Sequence, residues 1–375
     1  MTGLAVAYIS IDPVGEGVAA SQVVPYVERL AALGVAVDLH SFERGEPDPA
    51  VAGRLAAAGV VWHPHPWGRY GALGGVGRIV RAGFHVRGAR LVHGRGDLAA
   101  AAASWSGRRP FVWDMRAFFR EQRIEQGTLR PGGPEERLLA RLERRLARRA
   151  DAVVVLAAAA IPVLTERHGA EVASRCHVIP TCVDLEAFRP GPAPPGPTRL
   201  AIVGTMNRLY DVPGMLAVTE ALGHLRPVEL VAAVPRPSAW DEAIDAAVPE
   251  RTALRPDEVA GFVAGVHVGL SMLRPDLGPS TNGAMPTKIA ELLASGRPVV
   301  VSPALGDMSV LVERYRCGVI ADVASPGGHV RAAAELHELL GDEGLADRCR
   351  AAAEAHFDVD AAARSLVSIY AGATG

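Results

Sequence analysis

The chain has 375 residues and a formal net charge of −2, and hydrophobic residues make up 49% of it against 21% charged residues. This composition excludes a disordered or fibrous protein, and the length favours two domains because one hydrophobic core rarely keeps growing beyond about 300 residues. The four cysteines are neither paired as in a zinc site nor dense enough for a disulfide-rich secreted domain, so we expect buried, reduced thiols.

The N-terminal run LAVAYISI has no basic leader, and no apolar stretch approaches the ~20 residues that span a bilayer. We therefore expect a cytoplasmic protein without a transmembrane segment. The charge is uneven, because residues 1–150 contain 21 arginines and 14 acidic residues, whereas residues 151–375 contain 18 basic and 27 acidic residues. The basic first half leaves peripheral contact with a membrane surface open, and nothing in it resembles a nucleic-acid-binding module.

Short apolar segments alternate with helical periodicity from the N-terminus onwards. The predicted strands of the first half are LAVAYI, VAVDLH, GVVWHP, RLVHGR, PFVWDM and AVVVLA. Stretches such as SQVVPYVERLAALG separate them, with helical spacing and a closing glycine. This alternation is typical of βαβ units, so we predict an α/β domain over residues 1–190 with a Rossmann-like, doubly wound parallel sheet.

The first predicted strand leads into the segment ISIDPVGEGVAASQVV, which places Gly15 and Gly17 between a strand and a helix. Together with Ala20 and Asp38, these glycines formally satisfy the dinucleotide-binding pattern. Several residues separate the strand from Gly15, however, and Asp38 lies inside a predicted strand rather than at its end. We therefore interpret Gly15 and Gly17 as a flexible loop beside a ligand crevice, and a nicotinamide-dependent dehydrogenase is the less favoured interpretation.

Three polar side chains stand at the ends of later strands in this half. His93 belongs to LVHGRGD, and Asp114 and Arg116 belong to FVWDMRAFF. Each alone is as compatible with a buried structural role as with a functional one. Because the carboxyl ends of parallel strands meet at one edge of a sheet, the three together predict an acceptor or sugar site, with these side chains as its catalytic residues.

The segment ERLLARLERRLARRADA predicts a long amphipathic helix. Leucines at positions 138, 139, 142 and 146 repeat at helical spacing, and six arginines between Arg137 and Arg149 occupy other positions. We expect the leucines to face the core and the arginines to form an exposed basic face, with contact to an anionic surface as the alternative.

A proline-rich linker over residues 191–198 separates the two predicted domains. The surrounding segment FRPGPAPPGPT has five prolines in eleven residues, which suits neither a helix nor a central strand. The runs RLAIVG, VELVAAV, HVGLSML, PVVVSP and CGVIAD then restart the alternation, and they predict a second Rossmann-like domain over residues 199–355. The final segment DVDAAARSLVSIYAGA predicts one amphipathic helix within residues 356–375, with Leu366, Val367 and Tyr370 on its apolar face.

The segment PTKIAELLASG predicts a short helix that ends at Gly296 and contains Lys288, the only lysine in a chain with 38 arginines. Lys288 and Glu291 are expected on the rim beside its apolar stripe. A lysine in the first turn opposes the helix dipole unless an anion lies there, so this position favours a phosphate ligand. An exposed Lys–Glu pair is the alternative interpretation.

A second group of candidate residues follows the strand RLAIVG in the segment VGTMNRLYDVPGML. Gly204 permits close approach of backbone to a ligand, and Arg208 adds a second cation. Glu291 is acceptor-only when ionised and suits the hydroxyls of a ribose. The residues that we predict to bind a nucleoside diphosphate through its phosphates are Gly204, Thr205, Arg208, Thr287 and Lys288.

In combination, these segments resemble the retaining, nucleotide-sugar-dependent glycosyltransferases of family 4. FVWDMRAFFREQRIEQG is similar to the D-x-R-G-x-x-x-E segment of that family, VIPTCVDLEAFRP to its approach to the linker, and PSTNGAMPTKIAELLASGRPVVVSPALGDM to its donor-binding segment. The likeness runs nearly from end to end. It implies the GT-B architecture, in which two Rossmann-like domains flank a cleft, the first binds the acceptor, the second binds the nucleotide sugar, and the last helix crosses back onto the first.

The resemblance also implies residue roles. Arg208 and Lys288 would hold the diphosphate, Glu291 would hold the ribose, and Gly15 and Gly17 would lie near the transferred sugar.

One departure from the family pattern concerns a pair of glutamates separated by seven residues. The first position of that pair is Gly283 here, beside Asn282, a difference that the P-T-K-x-x-E subgroup shares. Asn282 and Gly283 are therefore assigned to the sugar-binding loop without the usual carboxylate.

The implied reaction transfers a hexose-like sugar from a nucleoside-diphosphate sugar to a hydroxyl group with retention of configuration. No metal or other cofactor is expected, because Lys288 and Arg208 would stabilise the departing diphosphate. Natural products, glycans and lipid-linked precursors are all compatible acceptors. Two alternatives stay open: a non-catalytic nucleotide-sugar-binding partner protein, which Gly283 favours, and a nucleotide-sugar epimerase of the same architecture.

Overall fold

The computed structural model describes residues 3–107 and 110–374, and these form two compact units. Unit 1 comprises the chain up to Arg120, Leu129–Ile179 and the segment from Val359 onwards. Unit 2 comprises Glu121–Thr128 and Pro180–Asp358. The proline-rich residues 191–198 lie in unit 2, where Arg297 donates a hydrogen bond to the Pro192 carbonyl oxygen at 2.9 Å.

Strands and helices alternate along the first half of the chain, with one short 3₁₀ turn at Val86–Gly88. In chain order the elements are β1 (Ala5–Ser10), α1 (Gly17–Gln22), α2 (Val24–Ala32), β2 (Ala36–Glu43), α3 (Pro49–Ala57), β3 (Val61–Pro66), α4 (Gly71–His85), β4 (Val92–Arg95), α5 (Asp97–Trp105), β5 (Phe111–Met115), α6 (Phe119–Glu125), α7 (Pro134–Arg149), β6 (Ala152–Val155), α8 (Ala160–His168), α9 (Ala170–Ala173) and β7 (Cys176–Val178).

The alternation continues through the second half, with a 3₁₀ turn at Pro256–Glu258. The elements are β8 (Thr198–Val203), α10 (Val212–Gly223), β9 (Val228–Ala233), α11 (Asp241–Ala247), β10 (Arg251–Thr252), α12 (Val259–Ala264), β11 (Val268–Ser271), α13 (Thr287–Ala294), β12 (Val299–Val301), α14 (Met308–Tyr315), β13 (Gly318–Ile320), α15 (Gly328–Leu339), α16 (Leu345–His356) and α17 (Val359–Thr374).

Each unit is built on one parallel sheet. The strand order is β3-β2-β1-β4-β5-β6-β7 in unit 1 and β10-β9-β8-β11-β12-β13 in unit 2. The prediction of two Rossmann-like, doubly wound sheets is confirmed. Strands β7 and β10 were not predicted. The three residues of β7 are half-buried or exposed, and β10 has only two residues, so neither strand shows an apolar pattern.

The polyalanine helix α5 packs directly on β4 in unit 1. Gly94 makes this approach possible, because a Cβ atom there would lie 2.5 Å from the Ala100 backbone. Alanines 99–103 are fully buried beneath their neighbours. The tight packing brings the carboxyl end of β4 and the start of α5 together at one edge of the sheet.

Helix α7 carries the predicted arginine-rich sequence. Leu139, Leu142 and Leu146 are buried, whereas Leu138 is 56% exposed. The prediction for Leu138 was wrong, because adjacent residues of a helix point about 100° apart and only one of the pair reaches the core. Part of the basic face is not free either, since Arg145 donates to the Ser104 hydroxyl at 2.6 Å.

Helix α17 belongs to unit 1, where it packs on α2. Leu366, Ile369 and Tyr370 are buried, and Val367 is only half-buried, so Ile369 takes the place predicted for Val367. Arg29 of α2 and Asp360 of α17 form an ion pair at 3.3 Å. Among the described residues, none of the helices combines the length and hydropathy of a membrane span.

Candidate functional site

Most of the predicted nucleotide-binding residues lie at the centre of the unit 2 sheet. Strands β8 and β11 are neighbours there. Strands β9 and β10 follow on one side of β8, and β11, β12 and β13 follow on the other side. Loop residues 204–211 follow β8, and residues 272–286 connect β11 to α13. The carboxyl edge at such a switch point is where open α/β sheets bind ligands. The structure therefore brings the segments around Gly204 and Lys288 together.

The amino group of Lys288 is enclosed by protein. Lys288 is 8% exposed, and its Nζ lies 4.1 Å from the centroid of the Tyr210 ring. A Cβ atom at Gly204, which has a φ of +80°, would lie 3.7 Å from this Nζ. Among the described residues, Nζ has no hydrogen-bond partner. Lys288 is thus a buried cation with unused donors, and the alternative of an exposed Lys–Glu pair does not hold.

Glu291 is buried one helical turn further along α13. Burial raises the pKa of Glu291 to about 7 and lowers that of Lys288 to about 7, and the attraction between the two groups only partly opposes these shifts. No hydrogen bond to the Glu291 carboxylate is found in the described part of the chain. The first two turns of α13 thus hold a cation and a carboxyl group, and neither has a hydrogen-bonding partner among the described residues.

The remaining predicted phosphate-binding residues surround this position more loosely. Arg208 and Thr205 are exposed on the loop that also supplies Gly204 and Tyr210, and Thr287 is half-buried as the first residue of α13. The Arg208 guanidinium lies close to Gly127, where a Cβ atom would be 3.3 Å from Nη1. The Arg208 guanidinium therefore lies beside Gly127, in the segment Glu121–Thr128.

Glu125 is a neighbour of the predicted sugar-binding loop, and the sequence did not indicate this contact. Its carboxylate accepts hydrogen bonds from the Gly278 amide, at 2.9 Å, and from the Ser280 hydroxyl. Asn282 and Gly283 follow within the same loop. Glu125 precedes this loop by about 150 residues, so no local pattern links the two. The loop that lacks its own glutamate is held by a carboxylate from a remote segment.

In unit 1, Asp114 and Arg116 are joined to His93 by a chain of hydrogen bonds. Arg116 Nη1 donates to Asp114 Oδ1 at 3.1 Å, and His93 Nε2 lies 3.3 Å from Asp114 Oδ2. The other ring nitrogen of His93, Nδ1, lies 2.9 Å from the Tyr370 hydroxyl of α17, and Tyr8 stacks on the imidazole at 4.3 Å. Because a carboxylate only accepts, Nε2 is the donor to Asp114, and Nδ1 shares a hydrogen bond with the Tyr370 hydroxyl.

His93 has no surface available for a substrate. It is 0% exposed, and both ring nitrogens are occupied. The structure therefore does not support direct catalysis by His93, and we reassign it as a positioning residue for Asp114. Burial would raise the pKa of Asp114, but the Arg116 guanidinium, the His93 hydrogen bond and Arg95 together lower it well below its usual range.

The loop after β1 holds the two glycines of the first predicted motif. Gly15 lies in the loop, and Gly17, with a φ of +54°, is the first residue of α1 rather than a loop residue. The Glu43 carboxylate accepts a hydrogen bond from the Val14 amide at 3.2 Å, which ties the loop to the end of β2. The loop therefore lies at the carboxyl edge of the sheet, next to the end of β4.

Replacing Tyr370 by phenylalanine is expected to lower the free energy of unfolding by about 1–3 kcal/mol, because Nδ1 of the buried His93 loses its partner. Tyr315→Phe is the matched control, since the Tyr315 hydroxyl lies 3.1 Å from His356 Nε2 in a half-buried setting that water can reach. Urea unfolding followed by circular dichroism compares the two. An equal effect of both substitutions would show that the Tyr370–His93 contact is not special.

Comparisons with known proteins agree with this arrangement. Residues 19–187 match the profile of Glycosyltransferase Family 4. The chain is 29% identical over 301 residues to a D-inositol 3-phosphate glycosyltransferase of Xylanimonas cellulosilytica, covering 73% of this chain and 68% of that protein. Among the described residues, no group of three or more His, Cys, Asp or Glu side chains is placed to hold a metal ion.

Solved structures share the fold over nearly the whole chain. Anabaena HepE in complex with UDP and glucose aligns with a TM-score of 0.69 at 15% identity, covering 97% of this chain and 98% of that one. Sucrose-phosphate synthase from Thermosynechococcus elongatus aligns with a TM-score of 0.71 at 16% identity, covering 98% of both chains. The two parallel-sheet units and these neighbours establish the two-Rossmann GT-B fold.

Proposed function

We propose that this chain is a retaining glycosyltransferase that moves a sugar from a nucleoside-diphosphate sugar to a hydroxyl acceptor without a metal ion. The buried, unpartnered ammonium group of Lys288 is the observation that carries the proposal. It lies at the start of a helix and at the switch point of unit 2, beside Gly204, where backbone and cation both favour a phosphate. The profile match to Glycosyltransferase Family 4 supports the same reaction class.

In the proposed reaction, negative charge develops on the departing diphosphate. Lys288, Arg208 and the amide groups at the start of α13 stabilise that charge, which is the electrostatic contribution that usually dominates such catalysis. Glu291 accepts hydrogen bonds from the ribose hydroxyls. In line with the resemblance to retaining glycosyltransferases, we favour attack by the acceptor on the same face that the diphosphate leaves, with a phosphate oxygen taking the acceptor proton.

The relatives suggest the first compounds to test. HepE was solved with UDP and glucose, and the Xylanimonas relative is named for D-inositol 3-phosphate. We therefore propose a UDP-linked hexose as the donor and a phosphorylated polyol as one acceptor class. UDP is the probe for the donor site in the experiments below.

The proposal is tested in two steps with the purified chain. A thermal-shift screen of nucleoside diphosphates should show a rise in the melting temperature, because a ligand of the native state stabilises it by mass action. Incubation with UDP-hexoses should then release UDP faster when a hydroxyl acceptor is added. Binding without turnover would favour the non-catalytic partner, and a new UDP-hexose formed without any acceptor would favour the epimerase.

Replacing Glu291 by glutamine is expected to weaken binding of UMP and UDP by similar factors of about 10, because the ribose is common to both ligands and hydrogen bonds to a charged group contribute about 1.5–3 kcal/mol. Isothermal titration calorimetry with both nucleotides measures this. Glu242→Gln, at an exposed position of α11, is the control and should bind both normally. A loss for UDP but not for UMP would assign Glu291 to the phosphates instead.

A further inference from the structure

The unit 1 sheet has its own switch point, between β1 and β4, and two arginines lie at its carboxyl edge. Arg95 is the last residue of β4, in register with Ser10 of β1 and with Asp114 of β5. Arg116 directly follows β5. Because side chains alternate along a strand, Arg95, Asp114 and Arg116 project on the same side of the sheet.

Both guanidinium groups have hydrogen-bonding capacity that the protein does not use. Arg116 Nη1 is bound by Asp114, but Arg116 Nη2 is buried without a partner among the described residues. Arg95 Nε is also buried without a partner, and no hydrogen bond or ion pair to the Arg95 side chain is found in the described part of the chain. An unpaired buried donor is costly, and here two of them belong to arginines at the same edge of the sheet, which is compatible with a missing acceptor.

The two arginines share one buried carboxylate at this edge. Asp114 is the buried acid between the two arginines, and its two oxygens are already engaged by Arg116 and His93. Asp12, at the exposed start of the loop after β1, is the other carboxylate that acts on Arg95. Burial and the neighbouring Arg116 both lower the pKa of Arg95, and Tyr8, Asp114 and Asp12 oppose this shift.

We propose that Arg95 and Arg116 form an oxyanion subsite in unit 1, which binds a phosphate or carboxylate group of the acceptor. This inference rests on the proposed transfer reaction, whose donor would be held in unit 2. Two planar guanidinium forks suit an oxyanion, because each presents parallel N–H groups to two oxygens. The pair of arginines thus favours an acceptor that carries an anionic group.

The network behind Arg116 explains how the subsite is held. Tyr370 and His93 fix Asp114, and Asp114 fixes Nη1 of Arg116, which leaves Nη2 for a ligand. Arg95 has no such support and lies at the end of a strand backed by the tightly packed α5. Arg95 is therefore the better residue to substitute, because its removal breaks no hydrogen bond within the described protein.

The test is a calorimetric titration of inorganic phosphate into the full chain with UDP present at saturation, so that the nucleotide site is occupied. We expect phosphate to bind the wild type, and Arg95→Gln to weaken it about tenfold or more. UDP affinity, measured separately, should change less than about twofold. Arg90→Gln is the charge-matched control, since Arg90 is exposed and precedes the opposite end of β4.

Three results would overturn the subsite. These are no phosphate binding by the UDP-saturated wild type, equal phosphate affinity in Arg95→Gln, and a loss of UDP affinity in Arg95→Gln, which would place Arg95 at the donor instead. If Arg95→Gln does not fold, Arg95→Lys is the second variant. It keeps the positive charge but lacks the planar guanidinium group, so it should weaken phosphate binding by a smaller factor than the tenfold expected for Arg95→Gln. Failure of UDP binding in the wild type would instead count against the proposed function.

Discussion

Replacing Lys288 by methionine is expected to weaken UDP binding about 10–100-fold while the chain stays folded. Hydrogen bonds to a charged group contribute about 1.5–3 kcal/mol, and each 1.4 kcal/mol is tenfold in affinity. Methionine keeps the length of the stem against Tyr210 and breaks no hydrogen bond, because Nζ has no partner among the described residues. Calorimetry with UDP and UMP measures the change, and we expect a smaller loss for UMP.

The pH dependence of UDP affinity provides a second readout for Lys288. Burial lowers the pKa of this lysine to about 7, and a bound diphosphate should raise it again. Above that pH, binding must then take up a proton, so the wild-type affinity should fall by up to about tenfold per pH unit. Lys288→Met should lack this fall.

Lys288→Arg serves as the control for this residue. It keeps the charge but places a planar fork where a compact ammonium fits between Gly204 and Tyr210, so an intermediate affinity is expected. Unchanged UDP affinity in both the methionine and the arginine variants would remove Lys288 from the donor site. It would also remove the main support for the proposed function.

Replacing Asp114 by asparagine is expected to lower the free energy of unfolding by about 3–5 kcal/mol, the usual cost of removing one partner of a buried ion pair. The carboxylate is buried and bound to both Arg116 and His93, so the guanidinium would stay buried without its counter-charge. Urea unfolding followed by tryptophan fluorescence measures this, because Trp113 is buried within the same strand.

The contribution of Asp114 to the free energy of unfolding should decrease as the pH falls. Its folded pKa is lowered relative to about 3.9 in the unfolded chain, so its stabilisation is fully present above that value and is lost as the pH falls towards the folded pKa. The difference between wild type and Asp114→Asn should be constant from about pH 5 to 8 and shrink below about pH 4.

Asp38→Asn is the matched control, since Asp38 lies 3.6 Å from His63 at an exposed position of the same sheet. We expect a change below about 0.5 kcal/mol there, as for other surface pairs. If Asp114→Asn were no more destabilising than Asp38→Asn, the buried network would not stabilise unit 1. The reassignment of His93 to a positioning role would then lose its basis.

The sequence by itself determined most of the strands and the edge of each sheet at which a site is predicted. Apolar runs followed by helical spacing are local properties, so eleven of the thirteen strands within residues 3–107 and 110–374, and the helix around Lys288, were predictable. The carboxyl ends of parallel strands always meet at one edge, so residues such as Arg208 and Asp114 could be assigned to sites without coordinates. The missed strands are β10, which has only two residues, and β7, whose three residues are half-buried or exposed and carry no apolar run.

The tertiary structure alone decided which of these residues are free to bind a ligand. Burial depends on neighbours that are remote in sequence, so no local pattern shows that Lys288 is enclosed by Tyr210 or that Glu125 holds the loop beside Gly283. The hydrogen bond between Tyr370 and His93 joins residues 277 positions apart and removes the histidine from direct catalysis. Arg95, inconspicuous in the sequence, is left with unused donors because the packing supplies it with no acceptor.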